Sequence, residues 1–373
     1  MKVLYIGYYR EKSDWGRQTV SNILALESAG VDVVCRSIQL GGTETPDALL
    51  HLEKKDAGDA THCIQHVFPE HMVGSSKFEK NIGILSNNFV RMWHSSWGAR
   101  LSMMDEIWMA SKVGIMQNMS ENITADVKYV PSAIDTDVYN RRYGNLNIKE
   151  VESDFKVYTF ATANDIQGLS WVLSTFHSEF ESTDPVSLVI YLKAVSEDSK
   201  KELEIVEDLS RNIKGLLRLS SSPDLYKKDV IISSPNISET NLFELHQYCD
   251  CYVTSNTEFT FPYSEIDAAG FGNKPIVSDI GSITEYIGMA SATPSIYQTV
   301  QAKGGMFADT NNGRDYWVRP DELYMKTRLR QAFNSWKSDP MASKLENKKS
   351  ALEQLEQFSL ENVGQKMKEA LNV

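Results

Sequence analysis

The stretch from residue 249 to residue 285 decides the fold: CDCYVTSNTEFTFPYSEIDAAGFGNKPIVSDIGSITE. It opens with a β-prone run at 251–254, and a polar loop follows, flanked by Glu258 and Glu265. A small-residue helical segment, a Gly-Asn-Lys-Pro turn and a second strand at 276–278 complete it. This order predicts one βαβ unit. In an open parallel sheet the ligand crevice lies at the carboxyl ends of the strands, so both glutamates are expected beside it.

The two glutamates suit a ligand that carries several hydroxyl groups. A carboxylate only accepts hydrogen bonds, so it matches neighbouring hydroxyls of a sugar or a ribose. The N–H groups and the positive dipole end of the helix beside Glu265 suit a phosphate. A nucleotide sugar would use both features. The alternative is that Glu258 is a solvated loop residue and that Glu265 only favours the helix dipole.

The same stretch resembles the C-terminal domain of retaining GT-B nucleotide-sugar glycosyltransferases of the family-4 type (glycosyl transferases group 1). The shared features are two glutamates, a loop that ends in proline, a small-residue helix, a Lys-Pro turn, and a closing Asp-x-Gly with a glutamate. In this chain they are Glu258, Glu265, Pro262, 268–270, 274–275, 279–281 and Glu285. The resemblance extends to the Asp-Glu-Ile-Trp run at 105–108 and to the Val-Pro-x-x-Ile-Asp run at 130–135.

Two departures concern the donor site. The glutamates have six residues between them where the family has seven, and phenylalanines replace the loop glycines, so Asp267 is a rival to Glu265 as the second carboxylate. The family's diphosphate-binding Arg-Lys-Gly is Ile-Gln-Gly here, at 166–168. Developing charge on a leaving group must be stabilised. Arg17 and Lys193 are the candidate substitutes, with Lys274 a poorer one.

The resemblance implies an α/β protein with the GT-B fold, in which two Rossmann-like domains face each other across a cleft and a C-terminal helix crosses back to the first domain. We expect an acceptor-side domain at 1–150, a nucleotide-sugar-binding domain at 151–335, and a helical segment at 336–373 that packs on the first domain. The implied activity is transfer of a hexosyl or pentosyl group from a nucleotide diphosphate sugar, with retention and without a metal or other cofactor.

The donor is expected to be a UDP- or GDP-sugar. The acceptor hydroxyl is left open among a saccharide, a lipid-linked saccharide, a protein and a modified base. By resemblance, Glu258 would hold the sugar hydroxyls and Glu265 the ribose, and His66 or His94 would face the acceptor. The implied catalytic residues are Glu258, His66 and Arg17, and the implied donor-binding residues are Gly16, Lys193, Ile237, Phe261, Pro262, Tyr263 and Glu265.

The length, net charge and composition of the chain restrict the functions and locations that it can have. The chain has 373 residues, enough for two α/β domains, and its apolar runs at 2–7, 80–85 and 155–161 predict strands. A net charge of −12 argues against broad nucleic-acid binding. No apolar run approaches the roughly 18 residues of a membrane span. The four cysteines fit no zinc pattern, and as reduced thiols near buried strands they predict a cytoplasmic protein.

Three other functions stay open at this point. The missing Arg-Lys pair favours a GT-B-like protein that binds a nucleotide sugar or a partner without transferring the sugar. A sugar epimerase built on the same two domains would change a sugar with no acceptor present. A nicotinamide-dependent oxidoreductase is disfavoured, because no G-x-G-x-x-G fingerprint follows the first strand.

Overall fold

The chain forms two α/β halves, each built on a parallel sheet. The computed structural model describes residues 1–38, 44–86, 97–113, 115, 124–144, 146, 148, 151, 154–161, 166–193, 199–234, 238–254, 261–279, 282–299 and 316–372. Within these residues no helix is long and apolar enough to cross a membrane. All four cysteines are buried and carry no disulfide bond.

The first sheet has six parallel strands: β1 Lys2–Gly7, β2 Asp32–Ser37, β3 His62–His66, β4 Lys80–Leu85, β5 Glu106–Met109 and β6 Asp126–Tyr129. Their order across the sheet is β2-β1-β3-β4-β5-β6. The chain goes from β1 to β2 on one side and then crosses to β3 on the other. The topological switch point therefore lies between β1 and β3, where Gly7 pairs with His66.

The second half has a four-stranded parallel sheet and two short pairs: β7 Phe155–Ala161, β8 Val186–Lys193, β9 Val230–Ser234, β10 Cys251–Tyr252, β11 Val277–Ser278, β12 Ala292–Thr293, β13 Ser295–Thr299 and β14 Tyr316–Pro320. The sheet order is β10-β7-β8-β9, while β11 pairs with β12 and β13 with β14. Every residue of β8 is buried except Lys193. A nearly continuous apolar run of this kind is typical of a strand covered on both faces.

The helices connect and cover these strands: α1 Asp14–Ser28, α2 Leu50–Glu53, α3 Trp97–Leu101, α4 Ile166–Glu179, α5 Ser199–Leu217, α6 Glu239–Tyr248, α7 Tyr263–Gly270, α8 Ile283–Ile287, α9 Glu322–Ser338, α10 Pro340–Leu355 and α11 Leu360–Ala370. Polar side chains cap several of them. Ser13 accepts from the backbone of Gly16 at the start of α1, and Ser238 accepts from Asn241 at the start of α6.

The C-terminal helix α11 returns to the first half and packs on α1. Lys368 Nζ donates to the backbone oxygen of Ala29 over 3.1 Å. A Cβ added to Gly364 would lie 2.1 Å from the backbone oxygen of Ala25, so only glycine permits this approach. Val363 and Met367 are buried in the same apolar core as residues of β1 and α1. The predicted return of the C-terminal helix is therefore confirmed.

The observed elements confirm the predicted fold class, and the strands at 2–7, 80–85 and 155–161 have the predicted bounds. The helix after the acidic loop begins at Tyr263, two residues before Glu265, with Pro262 at its N-cap position. Glu265 consequently lies inside the first turn. The domain boundaries at 150 and 335 stay a prediction.

Candidate active site

Two helix N-termini meet between the carboxyl ends of the two sheets. Helix α1 follows the carboxyl end of β1, and α7 follows that of β10. Arg17 in the first turn of α1 donates from Nη1 and Nη2 to the two carboxylate oxygens of Asp267 on α7, over 2.5 and 2.9 Å. The ligand crevices expected at the carboxyl ends of the two sheets therefore form a single cleft between the halves.

Arg17 is held by several groups at once. Its Nε lies 2.8 Å from a carboxylate oxygen of Glu239, at the start of α6. Its guanidinium lies 4.2 Å from the ring centre of Tyr263, and the Tyr139 hydroxyl donates to Asp267 over 2.8 Å. Burial lowers the pKa of Arg17, but the charge and hydrogen bonds of Asp267 outweigh it and raise that pKa well above its ordinary value. Arg17 thus stays charged and links three elements.

Glu265 lies on the same helix as Asp267 but has a different environment. Two helical positions differ by about 200°, so the two side chains leave opposite sides of α7. Glu265 is 2% exposed, and its Oε1 accepts from Thr254 Oγ1 over 2.7 Å. Burial raises the pKa of Glu265 to about 7, against the opposing hydrogen bond from Thr254. The carboxylate is therefore near its titration point at neutral pH.

Asp14 and Lys193 contribute charge from opposite sides of the cleft. Asp14 is the first residue of α1, and Lys193 is the exposed last residue of β8. The Asp14 side chain is exposed, but the protein atoms around it partly desolvate it and this raises its pKa. The positive charges of Arg17 and Lys193 oppose that rise, whereas Asp267 adds to it. Lys193 therefore acts electrostatically on the same cleft as Arg17.

His66 ends β3 at the switch point of the first sheet and is buried. Its Nδ1 lies 3.0 Å from the Tyr5 hydroxyl and 3.4 Å from Thr19 Oγ1. Its Nε2 lies 3.1 Å from Ser86 Oγ. Burial lowers the pKa of His66 to about 3, so the imidazole is neutral at physiological pH. Both ring nitrogens are engaged by hydroxyl groups of the protein.

No family model and no curated protein matches this sequence. Among solved structures, the chain is similar to trehalose-6-phosphate synthase from E. coli bound with UDP-2-fluoro glucose, at 10% identity and a TM-score of 0.62 over 100% of this chain and 99% of that one. A sucrose-phosphate synthase from Thermosynechococcus elongatus is 11% identical, with a TM-score of 0.59 over 100% and 98%. The protein has the GT-B fold.

A third GT-B structure similar to this chain is an alpha,alpha-trehalose-phosphate synthase (UDP-forming) from Burkholderia xenovorans in complex with glucose-6-phosphate. It is 11% identical, with a TM-score of 0.55 over 84% of this chain and 72% of that one. These likenesses establish the architecture and the cleft between two Rossmann-like halves. The roles of individual residues rest on the contacts described here.

In this GT-B cleft, Gly16 is required by backbone packing within its own half. A Cβ at this position would lie 2.0 Å from the backbone oxygen of Glu11 and 3.2 Å from that of Tyr8. The loop before α1 therefore requires glycine, whether or not a ligand is bound. A contact between Gly16 and the donor stays a prediction.

The described end of the acidic loop is packed into the core. The rings of Phe261 and Tyr263 are buried, with 4.8 Å between their centres, and Phe261 also packs on Tyr286 at 5.1 Å. Pro262 precedes the first turn of α7. These side chains fix where α7 begins, so any ligand contact would come from backbone groups.

Several predicted site residues lie outside the described residues. They are Glu258, Ile237 and His94. In the segment that carries the Arg-Lys-Gly pattern in the family, Gln167 is exposed in the first turn of α4 and Gly168 is buried. Within the described ranges no group of three or more His, Cys, Asp or Glu is arranged to hold a metal ion.

Sequence reasoning missed most of the residues that join the halves. Glu285 belongs to the resemblance motif, but its carboxylate accepts from Ser111 Oγ over 2.7 Å and from the backbone N–H groups of Val113 and Lys112 over 2.9 and 3.0 Å. Tyr139 and Glu239 carry no local pattern that marks them. Their partners are more than 100 positions away, so only the folded chain reveals them.

Proposed function

We propose that this protein transfers a sugar from a nucleotide diphosphate sugar to an acceptor hydroxyl with retention of configuration. The observation that carries the proposal is the buried Glu265, in the N-terminal turn of α7 at the cleft of a GT-B fold. A carboxylate there is placed to accept hydrogen bonds from the two hydroxyls of a ribose. Closure of the two halves would exclude water and so limit hydrolysis of the donor.

Glu265 is a better candidate for the ribose than Asp267. The oxygens of Asp267 already accept from Arg17 and Tyr139. Glu265 accepts from Thr254 through Oε1, and within the described residues it pairs with no cation, so it is the better placed to meet a ligand. By resemblance, Glu258 would contact the transferred sugar.

Lys193 is the stronger candidate for the diphosphate. Arg17 is occupied by Asp267 and Glu239, whereas Lys193 is exposed at a carboxyl strand end. A cation there stabilises negative charge on the departing nucleotide. One of the similar structures is bound with UDP-2-fluoro glucose and another is a UDP-forming synthase, and this favours UDP over GDP as the carrier.

Donor binding and turnover test the proposal together. Thermal unfolding is followed with UDP-, GDP-, ADP- and dTDP-glucose, because a ligand of the folded state raises the apparent stability. A shift with one nucleotide, slow release of the diphosphate, and loss of both in Glu265→Ala are expected. The matched control is Glu353→Gln, an exposed glutamate on α10. If Glu265→Ala binds donors as well as the parent does, the assignment fails.

A second function is favoured by one observation. Arg17 is committed to an ion pair, and Gln167 stands where the family has a cation, so the charge available for a leaving group is reduced. A GT-B-like protein that binds nucleotide sugars without transfer would have this composition. It predicts a thermal shift with donor, but no diphosphate release with any acceptor.

A further inference from the structure

Helix α5 carries an exposed apolar stripe in addition to its buried side. Val206 and Ile213 on the buried side pack into the core of the second half. On a different side of the same helix, Ile205 and Leu216 are 45% and 77% exposed. Eleven positions make about three full helical turns, so these two side chains lie on one line along the helix. Large apolar side chains that share one exposed surface are typical of an interaction site.

The exposed apolar surface continues past the end of α5. Leu219 and Leu225 are 63% and 55% exposed. The turn that carries them is tied down, because the Tyr226 hydroxyl accepts from the backbone N–H of Leu219 over 2.8 Å. At this turn Arg218 has a φ of 53°, in the left-handed region that is costly for a residue with a Cβ. Such a conformation persists only where the surrounding structure holds it in place.

A buried polar cluster fixes the direction in which the stripe points. Asp229, just before β9, has a side chain that is 4% exposed. Lys214 Nζ lies 2.8 Å from its Oδ2, and Ser210 Oγ donates to the same oxygen. His177 Nε2 on α4 lies 2.7 Å from Oδ1. Rotation of α5 would leave a buried carboxylate without its partners, so the stripe is held in one orientation before any partner binds.

The surface lies at the opposite end of the second half from the cleft. The donor residues are at the carboxyl ends of the strands, whereas Lys214 near the end of α5 contacts Asp229, which precedes the first residue of β9. Strand β9 is at the edge of its sheet and pairs with β8 alone among the described strands. A partner bound to the stripe would therefore leave the cleft open.

The charges of α5 are arranged in two blocks. Residues 202–208 include four carboxylates and no cation, and residues 211–218 include three cations and no carboxylate. Residues 199–218 together hold five cations and four carboxylates, whereas the chain has a net charge of −12. Two copies of an acidic protein repel each other least where their surface is close to neutral. This order of charges also suits the dipole of α5 itself, but the dipole gives no reason for Ile205 and Leu216 to be exposed.

The two blocks are complementary to those of a second copy in the antiparallel direction. A two-fold axis midway between Ile205 and Leu216 places each of them against the other residue of the second copy. The acidic block of one helix then lies beside the basic block of the other. Asp208, which forms an exposed ion pair of 2.7 Å with Arg211 of its own helix, would also approach Arg211 of the second copy. An anionic lipid surface or a nucleic acid would instead be repelled by the acidic block.

We propose that the exposed stripe of α5 is the interface of a homodimer in which the α5 helices of two copies pack antiparallel about a two-fold axis. The interface has an apolar centre and a charged rim, as specific interfaces do. It goes beyond the proposed function and requires neither donor nor activity. One helix and one turn from each copy make a small interface, so the dimer forms reversibly with a dissociation constant in the micromolar range.

Sedimentation velocity of the full chain, over a dilution series that spans the micromolar range, measures the dimer. The mass is expected to rise from one chain to two with concentration. Leu216→Glu places a carboxylate in the apolar centre and should weaken the dimer at least about tenfold. Leu345→Glu on α10 is the matched control, because Leu345 is 62% exposed and lies outside the stripe. This control should keep the dissociation constant of the parent.

Charge exchange tests the antiparallel arrangement. Asp208→Lys and Arg211→Glu each place like charges across the two-fold axis, so each should weaken the dimer, and the double variant should recover it. Both side chains are exposed, and circular dichroism confirms that each variant is folded. A parent that stays monomeric, a dimer unchanged by Leu216→Glu, or a double variant no better than the single ones would overturn the proposal. A monomer that sediments with phosphatidylglycerol vesicles would overturn it as well, since the stripe would then bind lipid.

Discussion

Arg17 and Asp267 lie 250 positions apart in the chain and form a two-point ion pair between the halves. Asp267 is 2% exposed, and Tyr139 and Glu239 complete the cluster around the pair. Two parallel hydrogen bonds fix both distance and angle, so the pair sets the orientation of α1 relative to α7.

Removal of Arg17 is expected to destabilise the protein strongly. Arg17→Met leaves the buried Asp267 carboxylate without its cation, and breaking such a pair costs about 3 kcal/mol. Urea unfolding measures the loss, and the double variant Arg17→Met/Asp267→Asn should recover part of it. The control is Arg211→Ala, which breaks an exposed pair with Asp208 and should change stability by less than about 1 kcal/mol. Equal effects at both sites would contradict a structural role for the cluster.

The stability of the protein should fall with rising pH because of Glu265. Its pKa is raised from 4.5 to about 7 in the folded state. The folded protein therefore holds a proton that the unfolded chain loses, and the stabilisation present below pH 4.5 is lost as pH rises to about 7. The full change is on the order of 3 kcal/mol. Denaturant unfolding between pH 4.5 and 8 should show this slope in the parent and a flatter one in Glu265→Gln.

Glu353→Gln on the exposed face of α10 is the matched control, and it should keep the slope of the parent. A parent and a Glu265→Gln variant with identical pH profiles would show that the carboxyl does not titrate in this window. If the ribose assignment holds, donor affinity should rise over the same window, since the ionised carboxylate accepts through both oxygens and more strongly than the protonated carboxyl.

Lys193 should matter for transfer rather than for folding. It is exposed, so Lys193→Ala should leave thermal stability nearly unchanged. If it stabilises the departing diphosphate, kcat should fall by about 10²-fold, with Lys193→Arg retaining part of the rate. Lys200→Ala, on the exposed start of α5, supplies the comparison. Normal turnover in Lys193→Ala would mean that a different cation stabilises the negative charge of the departing diphosphate.

Alanine substitutions at two glycines distinguish the effect of a local steric clash on stability from the effect of intrinsic helix propensity. Gly16→Ala would place a methyl group 2.0 Å from the Glu11 backbone oxygen, so the loop must move and stability should fall by about 2 kcal/mol or more. Gly215→Ala in α5 meets nothing within 4 Å and should stabilise by up to about 1 kcal/mol. Thermal unfolding of both variants measures the contrast. A neutral Gly16→Ala would mean that the loop before α1 adapts easily.

The sequence predicted what depends on local pattern. Strands β1, β4 and β7 follow from apolar runs, and all three were found with the predicted bounds. The side-chain contacts of Arg17 and His66 could not be predicted from local pattern, because they depend on elements that are distant in the sequence. A pattern cannot distinguish an arginine at a ligand from one that already has a buried carboxylate.

The return of α11 to the first half has a consequence for the order in which the molecule is made. A ribosome releases the residues of α1 long before those that cover it. Gly364 and Met367 complete the core around β1, so this core cannot close until nearly the last residue has been synthesised. The first half of the nascent chain therefore keeps an apolar face exposed until α11 has been synthesised. A chain that stops before residue 360 would keep that face exposed for as long as it lasts.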